Sequence, residues 1–159
     1  MLRRLPVLLC ALLLGGSAVG AQPSDPLDRF AGDWDLHGEA AGQSYHVLEY
    51  CRWSNQHAFM ICEERVAEKP TANATLMWQD AKAKVFRYSS IGIHGSTGTG
   101  TIAITPSRWT WNETDGHVLY KTVNDWVSSS EIQYASSESH DGGKTWKPNG
   151  KGTERRVAR

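Results

Sequence analysis

From Gly32 onward, no run of ten residues keeps its apolar side chains at helical spacing. What recurs is a period of two. Trp34, Leu36 and Gly38 alternate with Asp33, Asp35, His37 and Glu39, the pattern of a strand with one dry and one wet face. Residues 43–53 and 58–67 are rich in aromatic and branched side chains around Ser54-Asn55-Gln56-His57, which predicts a hairpin. Further strands are predicted at 76–78, 84–91, 102–104, 109–111, 117–123, 128–139 and in the closing segment. Asp80-Ala81-Lys82, Pro106-Ser107, Asp115-Gly116 and Asp141-Gly142-Gly143 turn the chain between them, and Gly92 to Gly100 reads as a glycine-rich loop. About nine or ten short strands at this spacing specify a single all-β domain, an antiparallel barrel or sandwich. Ahead of them, Asp25 caps a short helical turn with Pro26 in its first position, and Leu27 and Phe30 point to one side before Gly32 ends it.

Residues 1–21 read as an export signal. Arg3 and Arg4 supply a basic start, Leu5 to Leu14 an apolar stretch, and Val19 and Ala21 the small residues of a cleavage site. The apolar stretch is shorter than the roughly 20 residues a spanning helix needs, and no later segment approaches that length. The expectation is an exported protein, periplasmic or secreted, with a leader and helical turn at 22–31 and the barrel at 32–159. The whole chain has 17 basic and 17 acidic side chains, so the part without Arg3 and Arg4 is slightly acidic. Binding to nucleic acid or to an anionic membrane surface depends on clustered positive charge, and neither partner is expected here.

Export leaves Cys51 and Cys62 as an even pair in an oxidising compartment, which predicts a disulfide across the 43–67 hairpin. A zinc site would need two further ligands. His37, His46, His57, His94, His117 and His140 show no metal-ligand spacing, so no metal and no cofactor is expected.

Gly32-Asp33-Trp34 opens the first strand and Arg155-Arg156 lie in the last. This resembles the calycin arrangement of lipocalins, which implies an up-and-down barrel with Trp34 stacked beneath an arginine at its floor. The chain also carries Phe30-Ala31-Gly32-Asp33-Trp34, Glu49-Tyr50 with Arg52-Trp53, Trp78-Gln79-Asp80-Ala81, and a closing stretch from Asp141 to Arg156. Together these are similar to an uncharacterised bacterial family of exported lipocalin-like domains. That resemblance implies the fold and no reaction. Ser139 to Trp146 also matches the Asp-box of sialidase-like propellers, there a structural hairpin, and one copy cannot build a propeller.

Seven tryptophans in 159 residues is the compositional outlier. Trp78, Tyr88, Trp109, Trp111 and Tyr120 are the candidates for lining a lumen, although aromatics of this size also fill a barrel as core. If Cys51 faces Cys62, Glu49 faces Glu64, and paired carboxyls about 5 Å apart are able to do acid–base work on a glycoside or simply lie on the outer face. Gly92 to Gly100 lacks the following helix of a phosphate loop, and no Gly-x-Ser-x-Gly occurs. With no catalytic signature, the favoured reading is not an enzyme but a barrel that binds a small apolar or amphipathic ligand. A glycan-directed hydrolase using Glu49 and Glu64, and a filled barrel acting as a cell-envelope interaction protein, are the other readings. Oligomeric state is left open.

Overall fold

Period-two alternation needs a sheet with one buried face, and a sheet that closes on itself leaves no edge strand unpaired. The computed structural model describes residues 25–66, 72–92 and 95–158, and within them it forms such a closed barrel. The predicted export signal and most of the polar leader lie outside the described residues. The strands are β1 (Gly32–Ala40), β2 (Gln43–Trp53), β3 (Met60–Val66), β4 (Ala72–Asp80) and β5 (Val85–Ile91). They continue as β6 (Thr97–Ile104), β7 (Arg108–Asp115), β8 (Val118–Trp126), β9 (Glu131–Ser139) and β10 (Lys147–Arg156). Each pairs antiparallel with its neighbours in sequence, and β10 pairs with β1 to close the ring, so the predicted up-and-down barrel is the observed fold. No helix among the described residues is long and apolar enough to cross a membrane.

One boundary differs from the expectation. Thr97 to Gly100 belong to β6, paired with Tyr88 to Ile91, and are not loop. Threonines at 97, 99 and 101 point outward, while Gly98 and Gly100 face the interior. A Cβ on Gly100 would collide with the Asn112 carbonyl oxygen and meet the Tyr88 ring at 2.7 Å, so close packing requires the glycine, not loop mobility.

The floor is built by local chemistry at both ends of the chain. Asp25 accepts from the Leu27 amide (2.8 Å) and starts a 3-10 turn over Pro26–Phe30, which buries Leu27 and Phe30 under the barrel. Trp34 is buried and donates its indole N–H to the Phe30 carbonyl at 2.8 Å. The Arg156 guanidinium lies 4.2 Å over the Trp34 ring and donates to the Ala31 and Arg29 carbonyls. Gly32 has φ of +143°, and a Cβ there would strike that guanidinium. Alternation allows only one of the two closing arginines inside. Arg156 takes that place, and Arg155 faces out to Glu131 at 3.3 Å. Above this plug, Phe30, Trp109, Trp126 and Trp34 form a chain of ring contacts with centroids 4.6, 4.9 and 5.7 Å apart. Met60, Met77, Ile102, Ile132 and the Cys51–Cys62 disulfide complete the packing. The lower half of the barrel is therefore filled core.

At the opposite end, the stretch from Ser139 to Trp146 folds as the structural hairpin its motif predicts. Asp141 accepts from the amides of Lys144 and Thr145 and from the hydroxyls of Thr145 and Ser139. These bonds, the Thr145 hydroxyl foremost, hold its carboxyl down at about 2.

Candidate functional site

The upper half of the barrel is hollow. A chamber of about 300 Å³ sits on the aromatic floor and continues into a wider vestibule of about 620 Å³ toward the mouth. The disulfide sets its geometry on one wall. Cys51 faces Cys62, so Glu49 faces Glu64 two residue pairs higher, and both point inward. Of the two placements open from sequence, lumen or outer face, the structure has the lumen.

A third carboxyl joins them. Glu154 precedes Arg156 by two residues on β10 and therefore shares its inward face. It is 9% exposed, and no described residue donates a hydrogen bond to it. Burial raises all three carboxyls: Glu49, further repelled by Glu154 and Glu64, goes well above the ordinary carboxylate range, Glu64 also rises, and Glu154, further repelled by Glu64, is pushed up to about 7. Asn73 donates to Glu64 at 3.3 Å and pulls the other way.

Tyrosines surround the acids. The Tyr45 and Tyr134 hydroxyls hydrogen-bond each other across the lumen, and burial raises the pKa of both. Tyr134 reaches across because Gly38 and Gly152 leave room, since a Cβ on either would collide with its hydroxyl. On the far wall Tyr88 donates to Glu113 at 2.6 Å and packs edge-on against Trp111 at 4.6 Å. Asn124 is buried between the tryptophans of β7. The amide orientation that satisfies them has its oxygen accepting from Trp109 Nε1 (3.0 Å) and Trp111 Nε1 (3.3 Å). Both indole N–H groups are thus occupied, and the lumen meets the ring faces.

Of the five aromatic candidates, Tyr88, Trp109 and Trp111 line the chamber and Tyr120 the vestibule. Trp109 also belongs to the floor core, 2% exposed. Trp78 is a correction. It neighbours Met77, which is fully buried and faces the chamber, and so Trp78 points to the outer face opposite Arg87.

The lumen also holds polar groups that the sequence reading did not name. Glu154, Tyr45, Tyr134, Glu113 and Asn124 were missed; Glu113 lies two residues from Trp111 on β7 and Glu154 two from Arg156 on β10, so each shares its neighbour's face. On the outer face, His46 and His37 both reach one Asp35 oxygen, at 2.6 and 3.2 Å, with their rings stacked. These three offer a set of metal-ligand atoms that spacing along the sequence concealed, because they meet across the β1–β2 ladder.

No protein-family model and no curated protein matches the chain. Among solved structures it is similar to EF1p2_mFAP2b bound to DFHBI, at 13% identity and TM-score 0.42 over 83% of this chain and 97% of that one. It is also similar to the S-type phycobiliprotein lyase CPES from Guillardia theta, at 8% identity and TM-score 0.48 over 84% and 91%. A third is a de novo designed fluorescence-activating β-barrel, at 15% identity and TM-score 0.34 over 85% and 100%. At these values the three carry no argument about what this chain binds or does.

Proposed function

We propose that this is an exported barrel that binds one small amphipathic molecule in its lumen. The apolar part of the ligand packs on Phe30, Met77, Tyr88 and Trp111, and its polar part meets the carboxyls of Glu49, Glu64 and Glu154. The observation that carries the reading is the chamber itself: about 300 Å³, apolar at its base, with carboxyl groups converging from β2, β3 and β10. That volume is at the lower end for small-molecule sites, and the combination of aromatic wall and few polar anchors is what such sites use. A bonded cysteine pair and the leader at 1–21 support export.

The hydrolase alternative has the Glu49–Glu64 pair in its favour. A retaining or inverting glycosidase, however, keeps one of its two carboxylates ionised as nucleophile or base. Here burial raises the pKa of both, with repulsion adding to it at Glu49, and works against holding either one ionised. Binding without turnover is the better fit.

The test is quenching of intrinsic tryptophan fluorescence by cationic, neutral and anionic aryl amphiphiles. Saturable quenching that weakens in Trp111→Ala, with the unfolding midpoint held, supports lumenal binding. A panel in which no probe of any charge alters the emission overturns it. Release of phenol from an aryl glycoside that disappears in Glu49→Gln would establish the hydrolase instead.

A further inference from the structure

We propose that the lumen selects an organic cation, an ammonium or amidinium group on an apolar body, and that the trio of Glu49, Glu64 and Glu154 is its counter-charge. This rests on the lumenal-binding reading and names the ligand class for the same chamber. Three inward carboxyls converge on one side of the chamber, and the most buried of them, Glu154, has no hydrogen-bond donor among the described residues. No Lys, Arg or His of the described residues lines the chamber or its vestibule. Arg156, the nearest inward cation by register, is committed below the acids to the Trp34 ring and to the carbonyls of Arg29 and Ala31. A buried acid without a donor is costly, and the missing partner is one the protein does not supply.

The opposite wall suits the same ligand. Trp111 and Tyr88 line the chamber, and Phe30 and Trp109 lie at its base; the faces of such rings attract a cation through the aromatic quadrupole. An anion would find no Lys, Arg or His among the described residues lining the chamber to pair with, only the carboxyl groups of the trio and of Glu113. A single metal ion is the poorer occupant. The three glutamates do not bring an oxygen each within 4.8 Å of one another, whereas Asp35, His37 and His46 on the outer face do bring their ligand atoms that close.

Entry of the cation is balanced by protons. Burial raises the affinity of the trio for protons, so an incoming cation displaces a proton to solvent. The groups facing this exchange are Tyr45 on β2, Tyr88 on β5, Glu113 on β7, Tyr134 on β9 and Glu154 on β10. Raised phenol pKa values keep Tyr45, Tyr88 and Tyr134 neutral, so the carboxyls alone set the pH dependence.

The experiment is isothermal titration of the whole protein with phenethylammonium and with 2-phenylethanol, its neutral analogue of equal size. The ammonium is expected to bind at least about tenfold tighter, the ratio a charge-assisted hydrogen bond brings. Glu154→Gln and Glu49→Gln each remove about that tenfold for the ammonium and leave the alcohol within about twofold. Affinity for the ammonium rises with pH by up to about tenfold per unit below pH 7, and heats measured in buffers of different ionisation enthalpy report the released proton. Equal or tighter binding of the alcohol overturns the cation inference and leaves a lumenal site standing. Binding of neither overturns both. Gln at these positions is close to the protonated acid in shape, and a thermal midpoint no lower than that of wild type confirms that the fold is kept.

Discussion

Replacing Glu154 by Gln is expected to stabilise the unliganded protein in alkaline solution and to do little in acid. In the unfolded chain this carboxyl ionises near its ordinary value of 4.5, and in the barrel burial first, then Glu64, pushes it up to about 7. Below 4.5 both states hold the proton, and the group contributes no penalty. As pH rises from 4.5 through 7 the unfolded state releases its proton first, so stability falls. At 1.36 kcal/mol per pH unit, the difference amounts to about 3 kcal/mol above pH 7. Gln carries no titrating proton and escapes that loss. Urea unfolding at pH 5 and pH 8, in a buffer free of organic cations, reads the effect. Wild type should lose up to about 3 kcal/mol more than the variant between the two pH values, a midpoint displacement of about 1–2 M for a urea slope near 2 kcal/mol/M. Parallel pH dependence in the two proteins would refute the idea that Glu154 is held protonated in an unpaired, buried setting.

Other expectations follow from the floor and the walls. Trp34→Ala removes the ring between Phe30, Trp126 and the Arg156 guanidinium and should cost about 3–5 kcal/mol in urea unfolding; a loss near zero would refute its structural role. Replacing Cys51 and Cys62 together by Ser opens a loop of sequence separation 11 and should cost about 3 kcal/mol, and two free thiols in protein from its native compartment would contradict the bond itself. Gly152→Ala drives a Cβ against the Tyr134 hydroxyl and the His37 carbonyl and should cost about 1–3 kcal/mol, read as a lowered thermal midpoint; an unchanged midpoint would show that Tyr134 does not cross there. Asp141→Asn should make the loss of stability in urea unfolding shallower than in wild type as pH falls from 3.8 toward 2, because the carboxyl's turn bonds favour its ionised form.

The fold was legible because its strongest constraint is local. Alternation in residues 33–39 and 43–53, the turn dipeptides and the Cys51–Cys62 symmetry each depend on neighbours along the chain, and they placed strands and register correctly. Thr97 to Gly100 was misread because glycine in sequence usually signals a turn, and the ring it accommodates, Tyr88, sits on another strand. Trp78 was misread for a related reason. Aromatic character alone does not say which face a residue takes; its parity relative to Met77 does. The acids were half legible. The Glu49–Glu64 pair came from the disulfide register, but its side of the sheet follows from Trp34, which pairs with Glu49 on β1. Glu154 needed the knowledge that Arg156, and not Arg155, faces inward, and only closure of β10 on β1 decides that. The His37–Asp35–His46 group was hidden by the same long-range pairing.

The central claim is an open lumen above a packed aromatic floor, and a crystal soaked with 4-bromobenzylammonium and measured at the bromine edge tests it most directly. The account predicts one anomalous peak inside the barrel, among Phe30, Met77 and Trp111, with the ammonium toward Glu49, Glu64 and Glu154. A lumen closed by side chains of Tyr88, Trp111 and Tyr134 packed against one another, with no bromine peak within the barrel, would contradict it.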